Sequence, residues 1–79
     1  MGAELNMLMT AWQYGLAYYS ADGKVEAHPE YMNAMQGRGE QNVPHFFADA
    51  GGKGWEFCTF LPLKDAKGHD GYLIFKRPL

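Results

Sequence analysis

Hydrophobic and polar positions fall into four patterned stretches separated by polar or glycine-containing segments. Leu5, Leu8, Met9 and Trp12 have helical spacing, over too few residues to define an element. From residue 12 the period changes to two. Trp12, Tyr14, Leu16 and Tyr18 fall on one side of an extended segment, and Gln13, Gly15, Ala17 and Tyr19 on the other. Asp22-Gly23 follows, a strong hairpin signal because glycine takes the positive φ of a tight turn without a Cβ clash. The chain is expected to return as a strand through Val25. Between Pro29 and Gln41 periodicity is lost. This stretch is expected to be an irregular connection with one helical turn around residues 31–35 and with Met32 and Met35 exposed.

Order resumes at residue 42. Asn42 is a suitable N-cap, and Pro44 suits a first turn, where N–H groups lack intrahelical acceptors. Val43, Phe46, Phe47 and Ala50 then make one apolar stripe at i, i+3, i+4 and i+7, which predicts a helix over 43–50. Gly51 is expected at C′ in the left-handed conformation, and Gly54 at the tight entry into the next strand. That strand, Gly-Trp-Glu-Phe-Cys-Thr-Phe-Leu, closes at Pro62, and a charged turn leads to a last strand ending at Pro78.

Pairing the last two strands about the middle of their turn sets Leu61 against Leu73 and Thr59 against Phe75. One face then carries Trp55, Phe57, Thr59, Leu61, Leu73 and Phe75; the other carries Cys58, Phe60, Tyr72 and Ile74, with Glu56 and Lys76 near the end. The fold class that follows is α+β, an antiparallel sheet of three to four strands with one principal helix on one face. A hairpin with one solvated face should alternate apolar and polar residues, and this one is apolar on both. One short helix covers one face, so the other needs either the N-terminal segment and the loop around Met32 and Met35 or another subunit; a homo-oligomer, with a dimer favoured, is expected.

Composition sharpens the picture. Seventy-nine residues make one small domain, 1–79, with residues 1–10 expected as a loosely ordered extension because Met7 and Met9 are alternative starts. A chain this short buries only about 60% of its unfolded surface. With a single cysteine, Cys58, it has neither an internal disulfide nor a paired-cysteine zinc or redox motif. Aromatic residues make up 15% of the chain, a large stock for a small core, so some are expected at an interface. A net charge of −2 gives no bulk attraction to nucleic acid or anionic membranes, and no run of residues is long and apolar enough for a membrane span. The N-terminus lacks the basic start of a signal peptide, and the expected location is cytoplasmic.

Three segments carry a family resemblance. Gly51-Gly52-Lys53-Gly54-Trp55-Glu56-Phe57 resembles the Gly-x-x-Gly-Trp-Glu-Leu signature of a small bacterial family catalogued as domain of unknown function 4177. Trp12-Gln13-Tyr14 is similar to the Trp-Glu-Tyr of that family's first strand, and Ile74-Phe75-Lys76-Arg77-Pro78 to its final strand. Gln13 stands in place of the usual Glu, Ala48 where Asn is common, and residues 25–41 are longer than the pattern expects. The resemblance implies architecture and no catalytic residues.

Candidate chemistry is sparse. The glycines at 51, 52 and 54 follow a helix rather than precede one, so they meet its negative end, where a phosphate is repelled. His45 and Asp49 share a helix face, but two ligands do not make a metal site. His69 is expected solvated in its charged turn, and Cys58 is expected as a buried small hydrophobe with no local cation to activate it. Lys76 and Arg77 beside Phe75 and Tyr72 form too small a basic footprint for nucleic acid. No cofactor is implied. The leading expectation is a non-enzymatic, self-associating module that binds a partner protein or small ligand. Its interface or ligand candidates are Trp12, Tyr14, Tyr18, Tyr31, Trp55, Phe60 and Tyr72, with Gly51 and Gly54 as structural turn residues. The alternatives are a small enzyme or metal-dependent activity drawing His45, Asp49, Glu56 and Cys58 together at a subunit boundary, and nucleic-acid binding by the last strand.

Overall fold

The computed structural model describes residues 11–32, 35 and 39–79. The helical spacing of Leu5, Leu8 and Met9 lies outside the described residues. Five strands, β1 (Trp12–Tyr19), β2 (Lys24–Ala27), β3 (Gln41–Asn42), β4 (Glu56–Leu61) and β5 (Gly71–Pro78), form one antiparallel sheet in the order β3-β2-β1-β5-β4. Among the described residues one helix, α1 (Val43–Gly52), packs on one face, so the α+β class holds with five strands rather than three or four. The added strand, β3, is two residues long and pairs with Lys24 and Val25, too short to leave an alternating pattern.

The Asp22-Gly23 turn forms as expected. Gly23 has φ +83°, its N–H donates to the Ser20 carbonyl at 2.9 Å, and the chain returns through β2. β1 pairs with β5 along its whole length, from Trp12 against Pro78 to Tyr19 against Gly71. This seats the two longest strands side by side at the centre of the domain.

The core lies between the sheet and α1. Ala17, Val25, Ala27, Leu73 and Phe75 face Phe46 and Ala50 of the helix, and Met32, Met35 and Trp55 close the layer. The two methionines are fully buried, contrary to the expected exposure. An unbranched thioether fills irregular space, and each buried Met contributes about 1.5–3 kcal/mol. Room for Met32 comes from Gly15, where a Cβ would sit 2.6 Å from Met32 Cγ and 3.0 Å from Trp55 Cζ3.

The helix starts where expected. The Asn42 side chain accepts a hydrogen bond from the His45 N–H at 2.9 Å, and proline occupies the first turn. It ends later than expected, because Gly51 and Gly52 are still helical. Lys53 is the C-cap, and Gly54, at φ +85°, takes the left-handed position expected of Gly51. The Trp55 N–H donates to the Ala50 carbonyl at 2.9 Å and the Gly54 N–H to the Gly51 carbonyl at 3.0 Å, the paired bonds of a Schellman ending. The hydrophobic contact that accompanies such an ending is supplied here by buried Trp55 and Ala50.

The β4–β5 register also departs from expectation. Glu56 opposes Lys76 and Phe57 opposes Phe75, but Thr59 then opposes Ile74, Phe60 opposes Leu73 and Leu61 opposes Tyr72. Cys58 is the extra residue of a β-bulge. It is exposed, its thiol 3.8 Å from the Glu56 carbonyl, and not the buried hydrophobe expected. Because faces alternate along a strand, one inserted residue swaps every side chain beyond it. Phe57 and Phe60, three apart, therefore both point to the helix side, while Thr59 and Leu61 join Tyr72 and Ile74 on the other.

Candidate binding surfaces

The family-like segments meet at one end of the sheet. The Arg77 guanidinium lies 4.2 Å from the Trp55 ring centroid, its Nε donates to Gln13 Oε1 at 2.8 Å, and its Nη1 donates to the Lys53 carbonyl at 2.9 Å. On the opposite face, Lys76 Nζ lies 4.3 Å over the Trp12 ring. The two basic residues of the last strand are thus turned to opposite faces, each stacked on a tryptophan. Trp55 is 5% exposed, a core residue beneath Arg77 rather than part of an open surface, and its indole N–H is buried without a hydrogen-bond partner among the described residues.

A second group of rings forms where β1, β5 and two loops converge on the face away from α1. Tyr18 stacks on His69 with ring centroids 4.3 Å apart and planes 10° apart. It also approaches His28 at 5.4 Å and Tyr72 at 5.8 Å, and Tyr31 lies 4.7 Å from His28. His69 is not solvated in its turn. Its Nδ1 lies 2.6 Å from Asp65 Oδ2, and Asp65 Oδ1 accepts from the Lys67 and His69 N–H groups at 2.9 Å each. The bond to His69 holds the Asp65 carboxyl below its ordinary pKa, with the two backbone donors adding to it. Desolvation, followed by the nearby Tyr72, Asp65 and Glu26, raises the Tyr18 phenol. His28 Nδ1 accepts from the Glu30 and Tyr31 N–H groups at 3.0 and 3.3 Å.

The third feature is β4. All six of its residues are exposed, and among the described residues it pairs on one side only, with β5. Phe57, Phe60 and Leu61 are 42%, 39% and 39% exposed, and Leu63 just beyond is 57% exposed. On the helix side, Phe57 packs 5.3 Å from Phe47 and 5.7 Å from Phe75, and Phe60 meets Tyr19 edge-on at 5.5 Å. Phe60 lies against β5 because Gly71 has no side chain; a Cβ there would sit 2.5 Å from the ring. Between α1 and β4 an open apolar cavity of about 340 Å³ is lined by Tyr19, Val43, Phe47, Phe60 and Leu73.

Of the residues singled out from sequence, Tyr18, Tyr31 and Tyr72 come together, Trp12 and Tyr14 extend the same outer face, and Phe60 lies on the helix side. The cavity residues Tyr19, Val43, Phe47 and Leu73 and the Asp65–His69 pair were not anticipated; an i, i+4 Asp/His spacing within the turn was the only local signal for the pair. Within one copy of the chain the residues of the alternative subunit-boundary site lie on separate elements. His45 is exposed on α1, Asp49 accepts from Gln41 Nε2 at 2.8 Å, and Glu56 and Cys58 lie on β4. Among the described residues, no three His, Cys, Asp or Glu side chains are grouped to hold a metal ion, and no helix is long and apolar enough to cross a membrane. No family model, curated protein or solved structure matches the chain.

Proposed function

We propose that this protein is a small non-enzymatic module that works by binding, and that its first partner is another copy of itself. The observation that carries this reading is how much apolar surface the described residues leave exposed. Among them, one helix covers part of one face of a five-stranded sheet, and large apolar side chains stay exposed on both faces, Phe57 and Phe60 beside α1 and Trp12, Tyr14 and Leu61 opposite it. Exposed apolar surface of this kind marks interaction sites. The exposed thiol of Cys58 suits a reducing, cytoplasmic setting, where unpaired cysteine persists. Membership of the family of domain of unknown function 4177 is part of the proposal. It is supported by the meeting of Gln13, Gly54-Trp55 and Arg77 in one clasp, which gives the three similar segments a shared physical purpose.

Thermal unfolding across a wide concentration range tests the reading. A dimer gains stability by mass action, so its Tm rises over a roughly hundredfold increase in protein, whereas a monomer's does not. A Tm independent of concentration would count against self-association.

The cavity beside α1 favours a second activity of the same module, binding of a small neutral ligand. Its lining is apolar and aromatic with no charged side chain, and its volume of about 340 Å³ is at the lower end for ligand sites. Titration with the neutral fluorophore 1-N-phenylnaphthylamine tests this: saturable enhancement lost in Val43→Glu is expected, and no enhancement with folded wild type rules it out.

A further inference from the structure

We infer that β4 is the seam of the self-association proposed above, joining two copies edge to edge in antiparallel orientation to make one continuous sheet. The inference rests on that reading and specifies its surface. An unpaired strand edge presents a row of free backbone N–H and C=O groups, and proteins usually blunt such edges with lysine, proline, inward charge or a bulge; of these, the edge from Phe57 to Leu61 has the bulge at Cys58 alone. The other edge of this sheet is blunted by brevity, since β3 has only two residues. β4 has six, and from Phe57 to Leu61 it carries no charge and no proline. Its flanking side chains are the exposed apolar ones, Phe57 and Phe60 toward the helix side and Leu61 outward.

Charge selects both the partner and the direction. Glu56 opens β4, Lys64 lies just past its end, and both are exposed, with no charged residue between them. An antiparallel copy brings each Glu56 toward the other's Lys64, whereas a parallel copy would set Glu56 against Glu56. The segment is therefore complementary to itself under a two-fold axis, as an isologous interface requires. In the register that sets Glu56 against Lys64 the axis passes at Phe60, so the Phe60 side chains of the two copies meet across the seam, and the bulge at Cys58 turns Phe57 to the same side as Phe60. Aromatic cross-strand pairs of this kind stabilise sheets. Phe60, central to the seam, is also the wall of the cavity on β4.

Charge reversal with rescue, read by sedimentation equilibrium, provides the test. Glu56→Lys and Lys64→Glu are each expected to weaken dimerisation roughly three- to tenfold, and the double variant to restore it, because exposed pairs contribute modestly and act twice across the axis. Phe60→Lys is expected to give a monomer, and Tyr14→Lys, on the outer face away from β4, to leave the dimer unchanged. The exposed charge variants keep the test valid if Phe60→Lys fails to fold. A wild-type dimer indifferent to all β4 variants but broken by Tyr14→Lys would overturn the seam and leave self-association standing. A wild-type monomer would overturn both. Hydrogen exchange gives an independent readout: the β4 amides that point away from β5 should gain protection as concentration rises, and unchanged exchange in a proven dimer would exclude the seam.

Discussion

At the scale of single residues, the glycines carry the sharpest expectations. The sequence assigns the helix stop to Gly51 and the strand entry to Gly54, and the structure gives the left-handed stop to Gly54 and keeps Gly51 helical. Gly54 is left-handed, so Gly54→Ala should cost about 1–2 kcal/mol, the penalty of placing a Cβ in that conformation. Gly51 is helical with open space around it, so Gly51→Ala should be neutral or stabilising by up to about 1 kcal/mol. Chemical denaturation of the two variants would distinguish them; equal effects would contradict the Schellman ending. At Gly71 a Cβ would meet both the Phe60 ring and the Leu61 carbonyl at 2.8 Å, and the backbone cannot step aside as a side chain end can. Gly71→Ala should destabilise by about 1–3 kcal/mol in the same assay. Asp65 sets an acid dependence. Its carboxyl is depressed, so its contribution is fully present above the unfolded value of about 3.9 and is lost as pH falls through the lower folded value. The Tm difference between wild type and Asp65→Asn should therefore be steady above about pH 5 and shrink toward zero in strong acid. A difference that grew on acidification would contradict the pairing with His69.

At the scale of elements, strands and helix were legible wherever a period lasted longer than one turn or two pleats. β1 shows its two faces plainly, and the stripe from Val43 to Ala50 with Asn42 before it announces α1. Three things were not legible, each for a physical reason. β3 is two residues long and has no period to show. The methionines at 32 and 35 are buried by an irregular connection, where no face repeats. The bulge at Cys58 leaves no mark in composition, yet it reverses the faces of the strand beyond it, so an uninterrupted register paired Leu61 with Leu73 instead of Tyr72. The binding surfaces suffered accordingly: the tyrosines could be picked out as surplus aromatics, but the stacking of Tyr18 on His69 depends on a turn folding back across 51 residues of chain. The clasp around Arg77 joins three elements, the start of β1, the end of α1 and the end of β5. Arg77→Ala should lower stability by about 1–3 kcal/mol through loss of the stacking and two hydrogen bonds, with Arg77→Lys recovering only part, since an ammonium cannot hold the Gln13 and Lys53 acceptors in one plane.

At the scale of the whole molecule, the account turns on what one short chain leaves uncovered. Such a sheet has two faces and two edges to protect; the described residues protect the inner face near β1 and β2 and leave β4 exposed along its length. The apolar excess visible in the sequence around residues 55–61 pointed to a second copy, and the structure moves the exposed material from an uncovered face to an uncovered edge and its flanks. Sedimentation velocity of the wild-type protein at tens of micromolar measures the consequence directly. A species of twice the 8.9 kDa chain mass is predicted, and a single 8.9 kDa species throughout would contradict the account.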